Sequence, residues 1–331
     1  MRSKKRIRIL LIAGLILVAA SVAYIQWFVI RPTGSGPAGP DVPASPFSQI
    51  WTERKIQLIG VGDSVTAGLG ADSNDHSYFQ RLLKNPADEF PSMHNKSLSV
   101  LLPNITAENF AVSGSASNQH FDAIQERIPT YSEDVYGIVV MTSGGNDLIH
   151  WYGRKPPQEC AMYGATLEQA RPWIEGYRKR LNEMLDALQT KFPGGCEIYL
   201  ANIYDPTDGV GDAPSIFLPA WPAGLAIHAE YNRIIRESCE ARTNVFLVPM
   251  YENFLGHGSH CRQFWRQHYD SRDPNYWFHY NVEDPNDRGY DAIRRLFLLE
   301  FLEHSPLRPD LPPPIPTKQT TSNHVNKTIR T

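Results

Sequence analysis

An α/β domain with a parallel sheet covered by helices on both faces is the fold class this sequence predicts, and two observations carry that expectation. The first is a set of five short apolar runs, at residues 56–61, 108–112, 136–141, 197–203 and 244–248, which have the length and composition of buried strands. The second is that helical periodicity fills the intervals, so that strand and helix alternate five times. In such a sheet the ligand site lies beyond the carboxyl ends of the strands.

The elements can be taken in order. Arg2, Lys4, Lys5, Arg6 and Arg8 precede residues 9–30, a 22-residue run without charge in which only Ser21 and Gln26 are clearly polar. As a helix this run is about 33 Å long, enough to cross a bilayer core. The basic flank predicts that residues 1–8 stay cytoplasmic while everything after 30 is extracytoplasmic, whether periplasmic, extracellular or lumenal. The alternative is a secretory signal cleaved near Ser21 and Ala23. Both readings export the domain.

Five prolines between Pro32 and Pro46 mark residues 31–48 as a Pro/Gly-rich linker, and six between Pro306 and Pro316 mark 305–331 as a Pro-rich disordered tail. The 256 residues from 49 to 304 are then one domain, with no repeat and no heptad run. Removing the six cations up to Arg31, the four after residue 304, Asp41 and Asp310 leaves that domain with a net charge of about −11. Such a domain repels nucleic acid at long range. A neutral small-molecule or glycan substrate fits it better, the membrane being reached through the N-terminal helix; the oligomeric state is left open.

Within the domain the clearest helix follows Ala170, Trp173, Ile174, Tyr177, Leu181, Met184, Leu185 and Leu188, with Pro172 expected in its first turn. Further helices are expected at 118–128, 225–239 and 288–302. Cys196 would open the fourth strand and Cys239 close the helix before the fifth, both at the amino end of the sheet. Cys160 and Cys261 fall in loops leaving the carboxyl end. In an oxidising compartment this predicts disulfides Cys196–Cys239 and Cys160–Cys261, the alternative being four small buried thiols.

The chemistry-bearing residues cluster after the strands. Gly62, Asp63 and Ser64 follow the first, where a strand-to-helix turn exposes a hydroxyl beside helix N–H groups. Ser113, Gly114 and Ser115 follow the second, and Gly144, Gly145, Asn146 and Asp147 follow the third. These blocks resemble those of the SGNH (GDSL-type) hydrolase family, and the resemblance extends over residues 55–304. It implies a three-layer flavodoxin-like fold with a five-stranded parallel sheet, and carboxylic ester hydrolysis without a cofactor. It also implies Ser64 as nucleophile, with an oxyanion hole formed by Ser64, the backbone of Gly114 and the side chain of Asn146. The set makes physical sense, because acyl transfer builds charge on a carbonyl oxygen and each such donor is worth about 3 kcal/mol in the transition state.

The fourth block departs from the family. Where the resemblance calls for a histidine base and its orienting aspartate, this chain has Asp284 and Asn281. Asp284 could act as a base if burial raised its pKa, orient an imidazole supplied from elsewhere, or, with Pro285, cap the last helix. Four histidines lie in the preceding segment: His257, His260, His268 and His279. An imidazole needs no pKa shift to act near neutrality, so the expected base is one of these, with His279 nearest in sequence to Asp284 and His257 in a glycine-flanked turn. A metal held by His257, His260 and Cys261 or His268 would lack a familiar spacing, and no metal site is expected. Two functions stand at this point. One is an exported, membrane-tethered serine esterase acting on carboxylic esters, acetylated carbohydrates among them; the other is a catalytically silent SGNH scaffold that binds an acylated or glycan ligand.

Overall fold

The computed structural model describes residues 2–309; most of the expected tail, residues 310–331, lies outside them. The chain begins with α1 (Arg2–Tyr24), prolonged by a wider turn over Ile25–Val29, and the stretch Lys5–Val29 is long and apolar enough to cross a membrane, with a mean hydropathy of 2.4. Its apolar side chains are largely exposed from Ile7 to Val22, and only the end of the run, at Trp27 and Phe28, touches the domain. Composition alone makes this stretch compatible with either an anchor or a signal segment.

The domain runs β1 (Lys55–Val61), α2 (Ser64–Ala67), α3 (Tyr78–Leu83), α4 (Leu98–Leu101), β2 (Ile105–Asn109), α5 (Ser117–Glu126) and β3 (Val135–Met141). It continues with α6 (Gly145–Ile149), α7 (Leu167–Thr190), β4 (Cys196–Ala201), α8 (Gly224–Glu240), β5 (Val245–Val248), α9 (Met250–Phe254) and α10 (Asp287–His304). All five strands are parallel, in the order β2-β1-β3-β4-β5. One face of the sheet, through Ile56, Leu58, Ile138, Val140 and Tyr199, packs on α3 and α10. The other, through Ile59, Val61, Val139, Met141, Ile198 and Leu200, packs on α5, α7 and α8. The three-layer α/β architecture is therefore as expected, and the alternation of faces along each strand explains why the central runs are apolar throughout.

Two elements begin earlier than the sequence suggests. Strand β2 ends where the apolar run 108–112 begins, because it is an edge strand whose Thr106, Ala107 and Glu108 face solvent and carry no hydrophobic signal. Helix α7 begins at Leu167, since Thr166 and Gln169 close a reciprocal capping box, and this puts Pro172 in the second turn rather than the first.

The expected disulfides are corrected: all four cysteines are free thiols. Cys160 lies by Ser117 and Arg180, on the α7 side of the sheet, whereas Cys261 belongs to the core on the opposite side. No backbone adjustment of loop size joins sulfurs across a sheet. Cys196 and Cys239 do share one core, but each is separately buried, and burial pushes both thiols up to about 12. Exchange proceeds through thiolate, so such thiols are inert.

Residues 31–48 lie against the domain despite their Pro/Gly-rich composition. The N–H of Ala38 donates to Asp291 at 3.0 Å, Arg288 donates to the carbonyl of Ser35 at 2.6 Å, and Lys96 donates to that of Val42 at 2.6 Å. Beneath this strap Arg294 pairs with Glu89 at 2.7 Å and Asp291 at 2.5 Å, and Arg295 pairs with Asp291 at 3.0 Å. All four side chains are almost fully buried, so each charge depends on its partners being present.

Glu197 in β4 is a buried carboxyl with no cation, held only by Tyr199 and Ser305 hydroxyls at 3.0 Å each. Burial pushes it from 4.5 up to about 8. Between those two values the folded chain holds a proton that the unfolded chain has lost, so stability falls as pH rises through that window. Glu197→Gln should remove this dependence. Thermal melts at pH 5 and pH 8.5 are expected to show the wild-type Tm falling a few degrees further than that of the variant, and parallel curves would refute the assignment.

Candidate active site

The nucleophile turn is built by one buried carboxylate. Asp63 caps α2 by accepting the N–H of Val65 at 3.1 Å, and the same oxygen accepts the hydroxyl of Thr142, the residue after β3, at 2.9 Å. Thr142 in turn shares a 2.8 Å hydrogen bond with Thr66, which shares one of 2.7 Å with Tyr78. The ends of β1 and β3 are thereby tied together under Ser64, the first residue of α2. Gly62 permits the approach: its φ is +141°, and any Cβ there would collide with the carbonyl of Thr142. Burial pushes Asp63 up to about 6, assisted by the charge of Asp284 and opposed by its own hydrogen bonds.

Gly114 sits in an exposed turn at φ +79°, closed by the N–H of Ser115 on Val112 at 3.1 Å. Asn146 projects from α6 and donates through Nδ2 to the carbonyl of Ser115 at 2.9 Å, so the second and third blocks are in contact. Beneath them lies a histidine that sequence reasoning missed. His120, on α5, bridges the hydroxyls of Ser115 at 2.9 Å and Ser143 at 3.0 Å. Burial lowers it to about 4, so at neutral pH it is a neutral ring with one donating and one accepting nitrogen, which suits a bridge between two hydroxyls. Asp147 anchors the same block by accepting the N–H and hydroxyl of Ser117 at 2.7 and 2.6 Å, with Arg180 at 3.7 Å.

Asp284 faces the nucleophile. Asn281 donates through Nδ2 to its Oδ2 at 2.6 Å, while its Oδ1 is buried and without a partner. The Ser64 hydroxyl lies close enough to favour the charged carboxylate, yet it closes no hydrogen bond of good geometry. Burial dominates and holds Asp284 above the usual carboxylate range, with Ser64, Asn281 and His279 pulling the other way. The helix-cap role falls to Asn286, which accepts the N–H of Gly289 at 3.0 Å and leaves Asp284 free. Tyr290 on α10 donates to the carbonyl of Leu69 at 2.7 Å, fastening this block to the nucleophile turn.

The expected imidazoles are placed otherwise. The His257 ring stacks on Trp277 at 3.5 Å and bonds the carbonyl of Asn275, while His260 bonds Asp212 at 3.0 Å. His279 packs beside Gly70 and Tyr280, and its backbone N–H donates to the carbonyl of Asp284 at 2.7 Å. Among the described residues, none of these rings hydrogen-bonds Ser64 or Asp284. The group with metal-like spacing is Asp72, His76 and Asp287, not the 257–268 histidines, and Arg81 already occupies Asp287 at 2.8 Å.

Beside Ser64 and Asn146 opens a cavity of about 150 Å³. Its walls are mainly apolar, from Leu148, Ile149, Ile203, Ile216, Leu218 and Trp221, with Glu283 at the rim. Burial, then the charges of Asp284 and Asp63, push Glu283 up to about 7. The arrangement offers a hydroxyl, an adjacent basic carboxylate, an amide donor and an apolar recess on one side of the hydroxyl.

No curated protein matches the chain significantly. Among solved structures it is similar to a lipase from a goat rumen metagenome (15% identity, covering 77% of this chain and 100% of that one, TM-score 0.46). It is also similar to an acetylxylan esterase from Geobacillus stearothermophilus (15% identity, 75% and 96% coverage, TM-score 0.48). The family model described as GDSL-like lipase/acylhydrolase matches residues 61–292, a span that includes Ser64, Gly114, Asn146 and Asp284. With that match over most of its length, the chain belongs to the GDSL-like lipase/acylhydrolase family.

Proposed function

We propose that the protein is an exported, membrane-tethered serine esterase in which Asp284 takes the proton of Ser64. The observation that carries this reading is the buried Asp284 carboxylate, one oxygen of it unpartnered, beside a Ser64 hydroxyl that lines an apolar cavity together with Asn146. As Ser64 Oγ attacks the ester carbonyl, its proton passes to Asp284. Charge on the carbonyl oxygen is met by the second N–H of the Asn146 amide and by the N–H groups of Ser64 and Gly114. Collapse releases the alcohol with the proton, leaving an acyl group on Ser64 that water removes by the same route. A carboxylate is an adequate base here because burial raises its affinity for a proton, while the Asn281 donor favours the ionised form that accepts it.

The acyl group occupies the cavity. In apolar surroundings a recess of about 150 Å³ takes a benzene-sized group. This favours esters of short to medium acyl chains over acetate, whose methyl group would leave most of the recess empty. The N-terminal stretch supports export, with Lys5–Val29 acting as an uncleaved anchor and residues from 31 onward outside the cytoplasm.

Ser64→Ala is expected to abolish hydrolysis of an activated butyrate ester and labelling by a fluorophosphonate. Clean resistance of the folded wild-type protein to that probe would favour the silent binding module instead. Asp284→Asn should lower kcat by about 1000-fold, while His257→Ala and His279→Ala change it by less than about tenfold. The reverse pattern would return the base to an imidazole.

The pH profile gives an independent signature. Only ionised Asp284 can accept the proton, so activity is present above its raised pKa and lost as pH falls through it. Asn281 lowers that pKa, so Asn281→Ala should move the acid limb to higher pH. An unmoved limb would show that Asp284 is not the titrating base.

A further inference from the structure

Aromatic side chains gather where α1 meets the domain. The ring of Trp27 lies 6.1 Å from those of both Phe264 and Trp265, and Phe28 lies 5.9 Å from Trp265. Gln263 donates to the carbonyl of Trp27 at 3.3 Å, and Arg31 donates to the carbonyl of Ser215 while its guanidinium lies over the Tyr276 ring at 5.7 Å. The helix exit is thus fastened to two loops, one after β4 and one after β5. Both leave the carboxyl end of the sheet, the end that carries Ser64.

The outer side of this cluster is uncovered. Phe264 is 61% exposed and Trp265 48%, and Phe217, two residues after the Ser215 carbonyl that Arg31 holds, is 90% exposed. Phe217 is held outward at φ +63°, a left-handed conformation that a bulky residue adopts at a cost, and its neighbours Ile216 and Leu218 line the cavity. Although the domain is acidic as a whole, the helix exit and the two loops at the cluster bring Arg31, Arg262 and Arg266 beside the rings, with Asp212 next to Ser215 taken up by His260, and these cations suit lipid phosphates. The patch continues directly from an apolar helix, and it consists of the ring types that prefer the membrane–water interface.

We infer that Trp27, Phe28, Phe217, Phe264 and Trp265 form a collar seated in the interfacial layer of the bilayer that α1 crosses, so that the cavity beside Ser64 receives esters residing in that membrane. The inference rests on the reading of α1 as a retained anchor and deepens the esterase proposal by naming where the substrate is carried. Docking the collar would remove exposed aromatic surface from water and place the loop containing Ile216 and Leu218 at the lipid headgroups.

The test uses the full chain reconstituted in phosphatidylcholine vesicles, with single bimane labels at Phe217→Cys, Leu15→Cys or Asp134→Cys in a Cys160→Ser background, the other three thiols being buried. Lipids with a shallow doxyl group should quench the Phe217 label by about half or more and leave the Asp134 label, beyond the amino end of β3, almost unchanged, while the Leu15 label, near mid-span, is read with lipids carrying a doxyl group deep in the acyl chain. A Phe217 label as bright as that at Asp134, with the Leu15 label quenched, would overturn the collar and keep the anchor. If the Leu15 label also escapes quenching, the anchor fails and the collar with it. In the same vesicles Phe217→Ser/Phe264→Ser should lose about tenfold activity on a bilayer-borne decanoyl ester with none lost on a dissolved butyrate ester. Equal losses on both, or none on either, would overturn the inference. A wild-type protein inactive on both would reject the esterase reading, leaving the quenching alone to decide the docking.

Discussion

The Asp63 carboxylate is the constraint on which the rest of the site depends. One oxygen caps the nucleophile turn and also accepts a hydroxyl from the end of β3, so the positions of Ser64 and of the block carrying Asn146 are set by the same buried atom. Its neighbours extend the link. Thr142, Thr66 and Tyr78 continue it inward to α3, and His120 braces the second and third blocks from below. Each group is satisfied only while the others keep their places, which is how a buried polar network holds loops in a single arrangement.

That network also sets the electrostatics at the surface of the site. Asp63, Glu283 and Asp284 are three carboxyls near one another, and desolvation is the largest effect on all three. The charge of Asp284 raises Asp63 and Glu283 further, so these two hold protons more tightly than separate carboxylates in water would. A histidine at position 284 would lose its proton more readily on burial. The aspartate present gains affinity from the same burial, and in the proposed reaction this closes much of the gap in basicity between the two residues.

The central strands were legible because β1, β3 and β4 are buried on both faces and leave unbroken apolar runs. Edge strand β2 was displaced in the sequence reading because its side chains are exposed and the apolar signal nearby belongs to the turn that follows. Ser64, Gly114 and Asn146 could be named as candidates because short motifs at strand ends carry them. His120 has no motif: it sits on an ordinary helix, and its role exists only once the sheet has brought Ser115 and Ser143 together. The cysteines misled for a related reason, since sequence placed Cys160 and Cys261 at the same end of the sheet but could not assign them to opposite faces. Asp284 stood out in the sequence because it occupies the place where the resemblance calls for a histidine, but whether it capped a helix or faced a hydroxyl depended on Asn286 taking the cap.

The strap formed by residues 31–48 gives the molecule a defined load path. A pull transmitted from the N-terminal helix meets the bonds of Arg31 and Tyr276 first, and then the contacts of Arg288, Asp291 and Arg295 along α10. These bonds are spread over two turns of one helix. The same helix carries Tyr290, which holds the carbonyl of Leu69 just past the nucleophile turn, so a pull that loosened the strap would be felt at Ser64 through one rigid element.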